Sequence, residues 1–83
     1  MYVYLVEFYV VNSDDVRFDR GAEIYDSWDK AFKAIHEFKN ENIKQGYLVS
    51  YDIIRKNDTR QVELEDIENY LYYHAGINKF EVK

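Results

Sequence analysis

The sequence predicts a small α+β domain spanning residues 1–83, built on a mainly antiparallel sheet packed by one long and one short helix in the order ββαββα, with room for a final strand. Three observations carry that expectation. A chain of 83 residues encloses only one modest core. Its first eleven residues are dense in β-branched and aromatic side chains, and residues 28–43 place apolar groups at helical spacing.

The run from Tyr2 to Val11 is apolar at every even position and at every odd one except Glu7, which suits a central strand apolar on both faces. Asn12-Ser13-Asp14-Asp15 is a polar turn of hairpin length. The second strand, Val16 to Tyr25, sets Val16, Phe18, Ala22 and Ile24 against Arg17, Asp19 and Glu23, with a bulge expected at Gly21. Asp26 or Ser27 then caps a helix whose apolar stripe is Trp28, Ala31, Phe32, Ile35, Phe38 and Ile43, with Lys30, Lys33, Glu37 and Glu41 on the wet side. Gly46-Tyr47 reads as its glycine C-cap.

A third strand follows from Tyr47 to Ile54, Asn57-Asp58-Thr59 turns the chain, and a short fourth strand runs from about Arg60 to Leu64. Ile67, Tyr70, Leu71 and His74 recur at i, i+3, i+4 and i+7, which predicts a short helix over Glu65 to Ala75 with Gly76-Ile77 as its C-cap. Phe80 and Val82 suit a short edge strand. With a right-handed crossover from the second strand through the long helix, the sheet order becomes 2-1-3-4 around a split β-α-β unit. If the second sheet face is left partly open, Val3, Leu5, Tyr9 and Val11 form a candidate homodimer interface.

Composition removes several function classes. The chain has no cysteine and no proline, so disulfide frameworks, thiol catalysis and cysteine metal sites are excluded, and a reducing cytoplasm fits best. The N-terminus lacks a basic n-region, and the longest apolar stretch is about half a membrane span, which predicts neither a targeting segment nor a membrane anchor. Asn57-Asp58-Thr59 matches a glycosylation sequon that means nothing without secretion. Phe, Tyr, Met, Ile, Asn and Lys total 35 residues against 11 for Gly, Ala, Arg and Pro, a skew expected of an AT-rich coding sequence.

Catalytic constellations are thin. His36 and His74 are the only histidines, and neither stands in a metal-spaced pattern. His36 reads as a surface residue and His74 as a helix-terminal one. Ser13 and Ser50 lack a glycine elbow, Asp14, Asp15 and Asp19 lack the rest of a calcium loop, and the isolated Gly21, Gly46 and Gly76 form no phosphate loop. No enzyme, cofactor or metal is expected.

The net charge of −5 opposes nonspecific binding to nucleic acid or anionic membranes. It is also uneven: residues 1–29 sum to −5, residues 30–56 to +3 and residues 57–83 to −3. The most unusual cluster is acidic and aromatic. Glu63, Glu65, Asp66 and Glu68 precede Tyr70, Tyr72 and Tyr73, and three tyrosines so close on one short helix do not all point inward. Tyrosine adds large rigid contact area at low entropic cost, so these seven residues form the expected partner-binding set, suited to a larger host protein with a basic surface such as a nucleic-acid groove. In size and charge the chain resembles the small acidic phage inhibitors of host defence, anti-CRISPR proteins among them. That resemblance of class implies action by surface occlusion and transfers no residue. The alternative is a nucleic-acid-associated regulatory module, dimeric or not, using Lys30, Lys33, Lys39, Lys44, Arg55 and Lys56.

Overall fold

A computed structural model describes residues 1–55 and 59–83; Lys56, Asn57 and Asp58, and with them the expected turn, the asparagine of the sequon and one lysine of the basic set, lie outside the described residues. Five strands and one helix follow in the order β1 (Tyr2–Val11), β2 (Arg17–Tyr25), α1 (Trp28–Lys44), β3 (Leu48–Arg55), β4 (Thr59–Asp66) and β5 (Leu71–Glu81). All pairings are antiparallel, and the sheet order is β2-β1-β5-β4-β3.

The first half folds as its local chemistry dictates. Asn12 closes the β1–β2 turn by accepting hydrogen bonds through its side-chain oxygen from the backbone N–H groups of Asp14 and Val16, at 2.9 and 3.0 Å. The Ser27 hydroxyl caps α1 by accepting from the Lys30 N–H at 3.2 Å. At the other end Gly46, at φ +90°, lets its own N–H reach the Ile43 carbonyl and the Tyr47 N–H reach the Asn42 carbonyl, which serves acceptors of the last helical turn.

Two expectations fail, and they fail together. Glu65 to Ala75 is not helical: β4 runs on through Asp66, residues 67–70 turn, and Leu71 begins the longest strand of the sheet. Buried Asp66 shapes that turn by accepting from the Asn69 side-chain amide at 2.8 Å, and Tyr70 leaves it at φ +56°. Gly76-Ile77 is therefore a strand segment rather than a cap. The resulting strand, placed centrally rather than at an edge, pairs with β1 on one side and β4 on the other, so the order is not 2-1-3-4: the four antiparallel pairings leave β2 and β3, the strands joined through α1, parallel to each other but separated by β1, β5 and β4 rather than by β1 alone. The energetic reason is burial. As a strand this segment puts Ala75 and Ile77 into the core beside Val6, Val62 and Leu64, whereas as a helix it would leave the facing edges of β1 and β4 unpaired.

The helix α1 crosses one face of the sheet, seating Ala31 and Ile35 on the buried cluster, with Tyr4, Phe8, Tyr25, Trp28, Phe38 and Tyr47 around it. The thinnest dimension, 18 Å, accommodates one helix layer on one sheet layer and no third. Among the described residues nothing covers the other face. Bulges near Gly21 and Ser50 shift the register of both outer strands, so Arg17 and Asp19 share the uncovered face with Ala22 and Ile24, while Phe18 and Glu23 turn toward the helix side.

Candidate binding face

The uncovered face is assembled from alternate residues of five strands, and the register sets its rows. Asp19, Tyr9, His74, Glu63 and Tyr51 lie side by side from β2 to β3. On one side of that row come Arg17, Val11, Tyr72, Glu65 and Leu48; on the other come Ala22, Glu7, Gly76, Gln61 and Ile53, then Ile24, Leu5, Asn78, Thr59 and Arg55. Among the described strand residues whose pairing fixes their face, four carboxylates stand here against Arg17 and Arg55, while Arg20 sits at the β2 bulge without a register partner.

The central row is a fixed aromatic stack. The His74 imidazole lies parallel to the Tyr9 ring at 4.6 Å, and Tyr51 meets it edge-on at 6.4 Å. The Arg17 guanidinium covers Tyr9 at 3.9 Å while its Nε donates to Asp19 at 2.9 Å and its Nη2 to Glu7 at 3.3 Å. Burial, chiefly, lowers the His74 pKa below the ordinary histidine value, and Arg17 adds to the effect, whereas Glu63, with a carboxylate oxygen 3.5 Å from Nε2, opposes it. The imidazole is therefore neutral near pH 7. The Tyr51 phenol is raised by burial first and by Glu63 next, and that of Tyr72 by Glu65 first and then by burial. Both hydroxyls stay protonated and able to donate at neutral pH.

His74 and Glu63 form the nearest approach to an acid–base pair, yet Ser13 sits in the β1–β2 turn and Ser50 at the β3 bulge, and no nucleophile stands beside the imidazole among the described contacts. Nor does any group of three histidine, aspartate or glutamate residues among the described ones come together to hold a metal ion. No helix among the described residues is long and apolar enough to cross a membrane.

The seven residues expected to form a partner-binding helix face are divided by the strand. Glu63, Glu65 and Tyr72 lie on the open face. Asp66 and Tyr73 point to the helix side, where Tyr73 stacks on Tyr47 at 5.0 Å and its hydroxyl, with burial second, raises Tyr47 to about 12. Glu68 and the 70% exposed Tyr70 sit in the β4–β5 turn. Sequence reasoning missed Tyr51, His74, Glu7 and Arg17 as members of the face, and Gly76 as its centre. The signal for the β1 members was present in the odd-numbered positions of the first strand. Comparison with known proteins finds no matching family model, no matching curated protein and no matching solved structure.

Proposed function

We propose that this chain is a non-enzymatic protein-binding module that lays the open face of its sheet on a basic surface of a larger protein and acts by covering it. The observation that supports this reading is a sheet face left without cover in a chain of one core, yet furnished with a fixed Arg17–Tyr9–His74 stack, two further tyrosines and an excess of carboxylates. A lone structural role does not call for that furniture, because exposed sheet faces are ordinarily served by small polar and charged residues. In plan, five strands of this length offer on the order of 600 Å², from a strand spacing of ~4.8 Å and a rise of ~3.4 Å per residue. That approaches the ~800 Å² per partner of a standard interface.

Tyrosine-rich, preordered surfaces bind with little loss of side-chain freedom, and the carboxylates direct the choice of partner toward positive charge. A host protein whose own work uses a nucleic-acid groove has such a surface, and an acidic module seated there acts as an inhibitor of the phage or mobile-element kind. The basic helix face is the poorer candidate. Lys30 is paired with Asp26 at 2.9 Å, Lys39 with Asp52 at 2.9 Å and Lys44 with Glu41 at 3.6 Å, so three of its lysines already have counter-charges.

The test is affinity capture from host lysate with the native chain, an open-face variant (Tyr9→Ala with Glu63→Lys) and a helix-face variant (Lys30→Glu with Lys33→Glu). The expected result is a protein recovered by the native and helix-face chains and lost by the open-face variant. Equal recovery by all three, or recovery of nucleic acid lost only by the helix-face variant, overturns the reading.

A further inference from the structure

The centre of the open face is a notch, and its cause is a single residue. The positions of β5 that face outward are Tyr72, His74, Gly76, Asn78 and Phe80, and only Gly76 lacks a side chain. Gly76 lies between Glu7 of β1 and Gln61 of β4, on the middle strand of the five. A cavity of about 230 Å³ opens above it, bounded by the Tyr9–His74 stack on one side, Asn78 on the other, and Glu7 with Arg17 toward β2. Small-molecule and cofactor sites usually enclose ~300–1,000 Å³, so this volume suits one side chain of a partner. Interfaces concentrate their energy where such an anchor fills a central pocket.

The lining selects among anchors. An apolar side chain would strip water from the Glu7 carboxylate and the Gln61 and Asn78 amides without replacing their hydrogen bonds. An acidic side chain would meet Glu7, with Glu63 close behind His74. A lysine brings a compact point charge with no plane to lay on the rings. A guanidinium offers five donors in one plane to several acceptors and stacks on aromatic faces. The rim already displays that chemistry, since Arg17 lies flat over Tyr9 while its nitrogens reach Glu7 and Asp19. The charge of Arg17 is answered by those two carboxylates, its shorter contact being to Asp19.

We propose that the notch over Gly76 is the anchor pocket of the binding face and takes the guanidinium of an arginine side chain presented by the partner, an inference that rests on the open face being the docking surface. Glycine is needed there for space rather than for backbone conformation. A Cβ built on Gly76 meets only the Arg60 carbonyl oxygen at 3.7 Å and the Gln61 Cγ at 3.9 Å, both ordinary contacts. Gly76→Ala and Gly76→Leu therefore fill the notch without touching the buried core.

The experiment titrates the blocked tripeptide acetyl-Ala-Arg-Ala-amide into the isotopically labelled chain and follows backbone NMR shifts, with the citrulline and lysine tripeptides as controls. The expected result is a set of saturable shifts at Gly76, Glu7 and His74 with the arginine peptide, affinity weaker by roughly tenfold with the neutral citrulline peptide, and loss of the response in Gly76→Leu at an unchanged thermal midpoint. Gly76→Ala, the milder change, gives an intermediate response. Equal shifts from the arginine and citrulline peptides, no shifts from either, or an undiminished response in Gly76→Leu each overturn the notch assignment. The capture experiment separates the two levels: a partner lost with Tyr9→Ala and Glu63→Lys but retained by Gly76→Leu overturns the anchor and leaves the docking face standing.

Discussion

The two faces of this sheet treat polar side chains in opposite ways. Under the helix, Arg60 is almost fully buried and fully answered: its Nε and Nη2 donate to the two oxygens of Asp52 at 3.0 and 2.8 Å, Lys39 adds a third bond to Asp52 at 2.9 Å, and the guanidinium lies 4.2 Å over the Phe32 ring. On the open face, Glu63 has His74 at 3.5 Å, beyond good hydrogen-bond geometry, and Glu65 lies beside Tyr72. The first arrangement closes on itself and serves the fold. In the second, Glu7 and Asp19 share Arg17 while Glu63 and Glu65 lie against the Tyr51 and Tyr72 hydroxyls, so its pairs order a surface rather than a core, and this contrast predicts that damage to the covered face costs stability while damage to the open face costs binding.

The strongest way to break the contrast is Arg60→Ala. It removes the only buried cation among the described residues and leaves Asp52 with Lys39 alone, and loss of one partner from a buried pair typically costs about 3–5 kcal/mol. Against a total stability of about 4–12 kcal/mol for a chain of this size, that change approaches unfolding. Urea denaturation of Arg60→Ala beside Tyr9→Ala measures the difference directly. If the open-face truncation proves the more destabilising, the two faces do not divide the work as described.

Asp52 gives the same contrast a pH signature. Hydrogen bonds from Arg60, ahead of those from Lys39, hold its carboxyl down to about 2 against a cost of burial. A depressed carboxylate contributes stability that is complete above its unfolded value of 3.8 and is lost as pH falls through the folded one, so the loss runs from about pH 4 to about pH 2. A shift of this size corresponds to about 2 kcal/mol. A carboxyl NMR titration that places Asp52 near its ordinary value contradicts the assigned network.

These covered-face groups show what was legible in the chain and what was not. Asn12, Ser27, Gly46 and the apolar stripe from Trp28 to Phe38 act through neighbours a few residues away, so their roles follow from local chemistry. The segment from Tyr70 to Ile77 does not, because its apolar residues satisfy two periods at once: Ile67, Tyr70, Leu71 and His74 at helical spacing, Tyr73, Ala75 and Ile77 at alternate positions. Only the open edges of β1 and β4, distant in sequence, decide between them. The same ambiguity hid the site. As a helix the segment gathers Tyr70, Tyr72 and Tyr73; as a strand it sends Tyr72 and Tyr73 to opposite faces and brings His74 against Tyr9, 65 positions away by their residue numbers. The bulges near Gly21 and Ser50 then decide which side chains of the outer strands share that face, an outcome that alternation alone reads backward.

The smallest expected effect sharpens the comparison most finely, because it belongs to an open-face group, His74, whose charged form is disfavoured chiefly by burial. His74 is held below its ordinary value of 6.5, chiefly by burial, so above that value it is neutral in folded and unfolded chains alike. As pH falls below 6.5 the unfolded chain takes up the proton first, and stability declines until the folded imidazole titrates too. The decline is mild beside the Asp52 step, since the side chain retains contact with solvent and Glu63 offsets part of it. His74→Gln should flatten this part of the stability profile and Glu63→Gln should steepen it, by removing the one carboxylate that supports the charged form. Thermal midpoints measured across about pH 5 to 7, with the His74 ring followed by NMR, read both. A His74 ring that titrates above 6.5 in the native chain places Glu63 ahead of burial, which makes the central row an ion pair closed on itself like the one beneath the helix.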